Sequence, residues 1–471
     1  MNRFRLPACR IAAGLIAALA AVPFAVTAQQ APAPAPAASP LLTAAELAPK
    51  FTEYMEAQSR VSRFTGAVLV AREGNVLFAR GYGMANLEHA IPNSPSTKFR
   101  LGSITKQFTA TAILQLQEKG KLSVQDPVCK YVPGCPAGWA PVTIHHLLTH
   151  TSGIPSFTSF PDYLKTMMIA SPPEKLLERF RDKPLEFAPG EKFNYSNSGY
   201  LLLGFILEKA AGQSYDEYLR ANIFVPLGMD ASGYDWNHAV LPGRASGYAR
   251  RGESGYANAE FIHMTIPHAA GALYSSVEDF VKWDQALYSD KVLSEASRQA
   301  MFTPFKNDYA YGWGVRELSG HKMVSHGGGI NGFNTSFMRF PDDKLCVVAF
   351  SNVEGTRVGT VARDLAAIAL ALPYELPKER IAITVDPRIL DAYVGRYELS
   401  PTFSLTITRE GVGLMTQATG QSKVPIYAEA ETKFFLRVMD AQITFVKDST
   451  GKVTHLILHQ GGRDQQAKKV E

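Results

Sequence analysis

The hydrophobic pattern of this chain changes character once, at the segment Pro373-Tyr-Glu-Leu-Pro-Lys378. Before this segment, long apolar stretches with helical spacing separate groups of strand-like runs. From about Asp386 onward, short runs of alternating apolar residues are interrupted by Gly and Asp, a pattern typical of an all-β domain. A chain of 471 residues is also longer than one hydrophobic core usually supports. We therefore predict two folded units, residues 41–372 and a barrel-like domain at 386–471, joined by a linker at 373–385.

The order of elements in the first unit constrains its fold class. A helical pattern over residues 41–62 precedes a β-hairpin at 66–71 and 76–78. A helix-rich middle follows, strand-like runs return at 322–325, 335–340 and 345–350, and a final helix is predicted over 356–372. Strands at both ends of the unit can pair in one sheet. This predicts an α+β fold, an antiparallel sheet flanked by helices.

The N-terminus has the features of an export signal. Arg3, Arg5 and Arg10 precede or border an apolar run that continues to about Val26 and is followed by small residues. We predict a signal peptide at 1–28 and a mobile Ala/Pro linker at 29–40, hence a periplasmic or secreted protein. A retained membrane anchor is the alternative, but the run is short for a spanning helix and contains a proline. The three arginines also supply much of the net charge of +5, so charge gives no reason to expect a nucleic-acid partner.

The cysteines fit an exported protein without requiring it. Cys129 and Cys135 lie six residues apart in a Pro/Gly-rich loop and could form a disulfide in an oxidising compartment, or could be two free thiols. Cys346 lies inside an apolar strand-like run and is expected to pack in the core. Cys9 precedes the apolar N-terminal run, which argues against a lipoprotein.

The candidate nucleophile is Ser103, in the pattern Ser103-Ile-Thr-Lys106. S-x-x-K is the pattern of penicillin-recognising serine enzymes, but it also occurs at Ser319 and Ser449. Both of those copies contain a glycine and flank strands, whereas Ser103 opens a glycine-free run that reaches Lys119 and ends at Gly120.

A helix at this position would give Ser103 a base. Residues three apart share a helix face, so the Lys106 amine can lie beside the Ser103 hydroxyl. Lysine can take the serine proton only if burial lowers its pKa, and the apolar residues along this run make burial plausible. The alternative is a helix-capping serine followed by a solvated lysine.

A second group of candidates is Tyr195-Ser-Asn197, which precedes an apolar helical run. A phenol can relay a proton between serine, lysine and leaving group, and the Asn197 amide can hold Lys106 and a substrate carbonyl. Another Tyr-x-Asn at Tyr256 lies in a Gly/Ser-rich stretch without the helical continuation, where turn residues explain it.

Four strings in order resemble the serine β-lactamase and penicillin-binding protein superfamily over about residues 50–372. They are Gly102-Ser-Ile-Thr-Lys-Gln-Phe-Thr109, Leu147-Leu-Thr-His-Thr-Ser-Gly153, the segment 187–200, and Ser325-His-Gly-Gly-Gly-Ile-Asn-Gly-Phe333. The C-terminal unit resembles the lipocalin-like β-domain that some members append.

The resemblance implies a role for each matched residue. Ser103 would be the nucleophile, Lys106 its base, Tyr195 the proton relay and Asn197 a positioning group. The backbone N–H groups of Ser103 and Gly329 would form the oxyanion hole, a feature that supplies on the order of 3 kcal/mol per donor.

One departure from the β-lactamase pattern affects the expected substrate. Where β-lactamases carry Lys-Thr-Gly, this chain has His326-Gly327-Gly328, which would help to bind the substrate. A neutral histidine lacks the permanent charge with which lysine holds a substrate carboxylate. The resemblance is therefore to the D-aminopeptidase, D,D-peptidase and esterase branches. We expect a hydrolase of D-residue peptides, small esters or both, with a class C-like β-lactamase as one alternative and a non-catalytic cell-wall-fragment sensor as another.

The expected partners are small acyl donors, namely peptides, esters or β-lactams, and no cofactor is expected. His145, His146 and His150 suggest a metal site, but no His-Glu-x-x-His pattern accompanies them, so a structural role is favoured and no metal is expected. No Gly-x-Ser-x-Gly occurs, which argues against an α/β-hydrolase.

Overall fold

A capping box formed by Thr43 and Glu46 stabilises the N-terminal end of the first described helix. The computed structural model describes residues 42–252, 255–437, 441–460 and 463–470. The Thr43 side chain accepts from the Glu46 amide and the Glu46 carboxylate accepts in return from Thr43, so helix α1 starts at Ala44. The predicted signal peptide, the Ala/Pro linker and Cys9 lie outside the described residues. Within the described ranges, no helix is long and apolar enough to cross a membrane.

The helices of the described chain are concentrated between the two groups of strands. They are α1 (Ala44–Val61), α2 (Thr105–Glu118), α3 (Ile144–Leu148), α4 (Tyr163–Thr166), α5 (Pro173–Arg181), α6 (Asn197–Ala211), α7 (Tyr215–Leu219), α8 (Val225–Leu227), α9 (His268–Gly271), α10 (Asp279–Ala286), α11 (Glu295–Phe302), α12 (Val358–Ala369) and α13 (Pro387–Asp391).

The strands of the first unit include a short set near the middle and a longer set at both ends. They are β1 (Gly66–Arg72), β2 (Asn75–Tyr82), β3 (Met84–Asn86), β4 (Ile91–Pro92), β5 (Phe99–Arg100), β6 (Gly233–Tyr234), β7 (Tyr248–Arg251), β8 (Gly255–Asn258), β9 (Leu273–Ser275), β10 (Gly314–Leu318), β11 (His321–Ile330), β12 (Phe333–Phe340) and β13 (Leu345–Ser351).

An antiparallel sheet in the order β10-β11-β12-β13-β1-β2 organises this unit. Strand β1 pairs with β13 over its whole length, from Gly66 opposite Ser351 to Arg72 opposite Leu345. The first and last parts of the unit are therefore joined in one sheet, which confirms the predicted α+β fold. Strand β10 at the edge was not predicted from the sequence.

Helices cover both faces of the sheet, which explains why its central strands are apolar without alternation. In β1, Val68 and Val70 pack into one core with α1 and α12, whereas Ala67 and Leu69 pack into the other with α2 and α6. Successive strand residues point to opposite faces, so a strand covered twice must be apolar at every position. Burial of both faces fixes where helix α2, and with it Ser103, lies.

The C-terminal unit is a closed barrel of eight described strands. The alternating apolar pattern predicts a barrel-like all-β domain here, which this confirms. Strand β14 pairs with β21, opposing Tyr397 to Lys469, and this pairing closes the barrel. Its interior is filled by aromatic and aliphatic side chains, with Tyr393 stacked on Phe445 at 4.2 Å. The strands are β14 (Gly395–Ser400), β15 (Phe403–Glu410), β16 (Gly413–Ala418), β17 (Val424–Ala428), β18 (Lys433–Phe435), β19 (Ala441–Lys447), β20 (Val453–Gln460) and β21 (Arg463–Lys469).

Cys129 and Cys135 form a disulfide, and Cys346 is a buried free thiol in β13. Replacing both bridged cysteines with serine should lower the free energy of unfolding by about 2 kcal/mol, because the bridge closes only a short loop in the unfolded chain. Chemical unfolding of the double variant and the parent measures this difference. Reductant should destabilise the parent by the same amount and leave the double variant unchanged; equal midpoints for parent and variant would contradict the expectation.

Candidate active site

Ser103 lies in a turn that the backbone can make only because a glycine precedes it. A short 3₁₀ helix, Gly102–Ile104, leads directly into α2, so Ser103 stands at the N-terminal end of that helix. Gly102 has φ +53°, and a Cβ atom there would stand 2.8 Å from the Gly329 amide nitrogen. A side chain at this position would be strained and would push strand β11 away from Ser103.

The Lys106 side chain is buried completely and lies beside Ser103. Its Nζ is 3.0 Å from Ser103 Oγ, 2.9 Å from Asn197 Oδ1 and 2.8 Å from the Ala270 carbonyl oxygen. The face-sharing expected of residues three apart on a helix is therefore present. The alternative of a solvated lysine is wrong, because the surrounding helices leave Lys106 no contact with solvent.

Burial lowers the pKa of Lys106 well below its ordinary value. A neutral amine has two N–H donors and one lone pair. The Ala270 carbonyl and the Asn197 amide oxygen can only accept, so they take the two N–H groups. The lone pair is then left to face Ser103 Oγ, which can donate its proton to it. This arrangement suits a general base.

Tyr195 lies on the other side of Ser103. Burial raises the pKa of Tyr195, and its hydrogen bond with the Ser103 side chain partly opposes that rise. Lys106 Nζ is 4.9 Å from the centre of the Tyr195 ring. A phenol that keeps its proton at neutral pH can donate it to an atom at Ser103 and recover it later.

Asn197 is placed by the start of α6. Ser196 caps this helix by accepting from the Gly199 amide, and Asn197 is its first residue. The Asn197 amide nitrogen donates to Thr158 Oγ1 at 3.1 Å, which directs its oxygen toward Lys106. The Asn197 side chain therefore holds Lys106 and forms part of the wall of the cleft.

His326 lies on strand β11 and is neutral. Its Nδ1 is 2.6 Å from the Gly327 carbonyl oxygen, which can only accept, so Nδ1 carries the proton. Its Nε2 then accepts from the Tyr309 hydroxyl at 3.0 Å. Burial, and secondarily the nearby Lys106, lowers the pKa of His326 to about 4. The predicted neutral histidine in place of a lysine is consistent with this geometry.

The glycines after His326 let strand β11 approach Ser103. Pairing of β10 with β11 ends at Ser325, so residues 326–330 have no β10 partner. A Cβ atom on Gly328 would stand 1.9 Å from the Leu101 carbonyl oxygen. Because of this close approach, only glycine fits at position 328. Gly329 borders the same cleft as Ser103. The structure therefore brings together Ser103, Lys106, Tyr195, Asn197, His326, Gly328 and Gly329.

The sequence predicted no specific contact at the site for several groups that line or support it. Ala270 contributes only its backbone carbonyl, and Thr158 lies on the wall of a cleft of about 280 Å³ in front of Ser103. His150 is buried, and its Nδ1 accepts from the Ser196 amide at 3.1 Å. Its ring lies 4.1 Å from the Tyr195 ring and 4.7 Å from the Tyr309 ring. These contacts make His150 a support for the segment that carries Tyr195.

The three histidines of the second matched string each contact a protein group. His145 Nδ1 is 2.7 Å from the Tyr311 hydroxyl, and His146 completes a capping box with Thr143 at the start of α3. With the role of His150 above, local structure accounts for all three. Over the described residues, no group of three or more His, Cys, Asp or Glu side chains is arranged to hold a metal ion.

The other copies of the S-x-x-K and Tyr-x-Asn patterns lie at positions that are not buried. Lys322 and Lys452 are exposed, in contrast to Lys106. Ser319 occupies the turn between β10 and β11, and Ser449 the turn between β19 and β20, as expected. Tyr256 lies in the short strand β8 rather than in a loop, which corrects the turn interpretation.

A beta-lactamase family model matches residues 47–371, more than two thirds of the chain. The chain belongs to the beta-lactamase family. This family comprises serine hydrolases and penicillin-binding proteins. A second model, a domain of unknown function named DUF3471, matches residues 379–469, the region of the barrel.

Proteins similar to this chain include penicillin-binding proteins. Penicillin-binding protein 4* of Bacillus subtilis is 30% identical over 442 residues, which cover 87% of this chain and 96% of that protein. The octameric penicillin-binding protein homologue from Pyrococcus abyssi is 29% identical with a TM-score of 0.63, covering 89% of this chain and 99% of that one. A D-stereospecific amidohydrolase from Streptomyces is 26% identical with a TM-score of 0.56, covering 64% of this chain and 94% of that one.

Proposed function

We propose that this chain is an exported serine hydrolase that works through an acyl-Ser103 ester, on D-amino-acid-containing peptides, small esters or both. The observation that carries the proposal is the hydrogen-bonding of Lys106. Both of its N–H groups are taken by carbonyl oxygens, which leaves its lone pair facing Ser103 Oγ. A buried amine held in this way has little use in a purely structural role, because burying it costs stability.

In the proposed reaction, Ser103 Oγ attacks the acyl carbon while Lys106 takes its proton. The backbone N–H groups of Ser103 and Gly329 stabilise the charge that develops on the acyl oxygen. Tyr195 delivers a proton to the leaving alcohol or amine as its bond to the acyl carbon breaks, and Lys106 restores that proton. Water then attacks the acyl-Ser103 ester by the same route, which releases a carboxylic acid and regenerates the hydroxyl.

Three observations bear on substrate and compartment. The Streptomyces relative is named for D-stereospecific amide hydrolysis, which supports D-peptides as acyl donors. Neutral His326 gives a substrate carboxylate no fixed positive charge, which disfavours efficient β-lactam turnover. The Cys129–Cys135 disulfide supports an oxidising compartment and hence export.

The test is covalent labelling followed by turnover. A fluorescent fluorophosphonate should label the protein, and Ser103→Ala should abolish the label, with Ser152→Ala as a control that retains it. A panel of short-chain esters, D-residue peptides and nitrocefin then identifies the acyl donor. An unlabelled parent, or labelling that survives Ser103→Ala, refutes the nucleophile; labelling without turnover of any member of the panel favours the non-catalytic sensor.

A further inference from the structure

The walls of the cleft in front of Ser103 carry no charged side chain among the described residues. Apolar groups supply much of the lining, namely Phe157, Tyr163, Ile262, Pro267 and Ile330. An acyl group bound to Ser103 has to lie against these walls. The chemistry of the walls therefore limits which acyl groups fit.

Three polar side chains of the cleft, Thr158, Asn197 and Asn331, already make hydrogen bonds within the protein. Thr158 Oγ1 accepts from the Asn197 amide nitrogen, and the Asn197 oxygen accepts from Lys106. Asn331 donates to the Glu260 carbonyl oxygen at 2.9 Å. None of these side chains carries a charge that could pair with a charged substrate group, and burying a charge without an ionic partner is costly.

Charged residues on the neighbouring segments are paired or exposed. Asp162, beside Tyr163, accepts from Arg179 at 2.8 Å. Arg100, two residues before Gly102, pairs with the buried Asp235 at 2.5 Å. Asp162 and Arg100 are therefore already paired and are not free to bind a charged group of the substrate.

The two segments that border the cleft expose several large apolar side chains, together with the charged Lys165 and Glu260. The His263 amide donates to the Met167 carbonyl at 2.9 Å, which joins the segment after α4 to the segment that carries Ile262. Large apolar side chains on these two segments are between 47% and 69% exposed: Leu164, Met168, Ile169 and Phe261. Exposed apolar groups that gather beside a cleft are typical of a ligand-binding surface. Here the cleft leads to Ser103, so the occupant they suit is an acyl chain.

We infer that the cleft selects acyl donors whose acyl portion is uncharged and apolar, and discriminates against donors with a carboxylate or an ammonium group in that portion. The inference rests on the proposed acyl-Ser103 reaction and narrows its substrates. Neutral esters and amides with an aliphatic or aromatic acyl group are favoured. Penicillins, whose carboxylate stays in the acyl-enzyme after ring opening, and acyl donors with a free N-terminal amine are disfavoured, because their charges would be desolvated without a partner.

A matched set of p-nitrophenyl esters tests this on the full chain. From acetate to hexanoate, kcat/KM should rise on the order of 10- to 100-fold, about threefold for each buried methylene. Mono-p-nitrophenyl adipate and p-nitrophenyl 6-aminohexanoate place a carboxylate or an ammonium near the end of a chain of similar length. Each should be hydrolysed at least about tenfold less efficiently than the hexanoate. Equal or faster hydrolysis of either charged ester overturns the inference.

A cation introduced into the cleft should shift this selectivity. Ile330→Lys should raise the ratio of adipate to hexanoate kcat/KM at least about tenfold, whereas Ile330→Met should leave the ratio near that of the parent. An unchanged ratio in a folded Ile330→Lys variant contradicts the inference, and the parent ester series decides alone if the variant does not fold. Ser103-dependent turnover without a charge preference refutes only the inference. Absence of Ser103-dependent turnover of every ester and peptide refutes the proposed function itself.

Discussion

Lys106→Ala should lower kcat/KM for a neutral p-nitrophenyl ester by about 10³-fold, the effect of removing a general base that acts directly on the nucleophile. The physical reason is that the Lys106 lone pair is the acceptor that faces Ser103 Oγ. Without it, Ser103 keeps its proton at neutral pH and attacks slowly. Steady-state hydrolysis of the same ester by parent and variant measures the ratio.

Two further variants separate the base from the bulk of the side chain. Lys106→Arg should be as inactive as Lys106→Ala, because a guanidinium stays protonated and has no lone pair to offer. Lys119→Ala, an exposed position just past the end of the same helix, should retain parent activity. Substantial activity in Lys106→Arg would mean that Lys106 acts through its charge and not as a base.

The pH dependence follows from the same group. Burial lowers the pKa of Lys106, so its amine is neutral at pH values where an exposed lysine is charged. The parent should therefore keep its acylation rate to lower pH than an exposed lysine base would allow, and lose it on the acid side, as the amine is protonated. A bell or plateau whose acid limb lies near the ordinary lysine pKa would contradict a buried base.

The sequence indicated Ser103 as the candidate nucleophile through its surroundings rather than through the motif. Three S-x-x-K patterns occur, and only the one at Ser103 opens a long glycine-free apolar run. The structure shows why a long glycine-free apolar run distinguishes Ser103 from the other two serines. Helix α2 is buried on nearly all sides from Thr105 to Leu116, so Lys106 is buried with it, whereas Lys322 and Lys452 lie in solvent.

Other parts of the site could not be predicted, because they depend on contacts between distant residues. The Ala270 carbonyl holds Lys106 from 164 positions away, and any residue type supplies a carbonyl. Strand β11 was predicted only at 322–325, since Gly327 and Gly328 have low strand propensity. It continues to Ile330 because β12 pairs with it and because glycine alone fits beside Leu101.

The second large effect is expected in the pH dependence of the free energy of unfolding. Folded Lys106 has a lowered pKa, whereas in the unfolded chain its pKa is about 10.4. Between those two values the unfolded state binds one more proton than the folded state, so the stability of the parent rises with pH. Relative to Lys106→Met, which cannot titrate, the free energy of unfolding of the parent should increase by about 1.4 kcal/mol per pH unit in this window. The increase should stop above about pH 10.4, where both states are neutral.

Fluorescence makes this measurable in the hydrolase unit alone, because every tryptophan of the chain precedes the linker: Trp139, Trp236, Trp283 and Trp313. Urea unfolding of the parent and Lys106→Met at pH 7, 8 and 9 gives the difference in free energy at each pH. Hydrogen bonds lost in the variant shift this difference by a constant and leave its slope unchanged. A difference independent of pH would show that Lys106 stays charged in the folded protein, and the lone pair on which the proposed acylation depends would not exist.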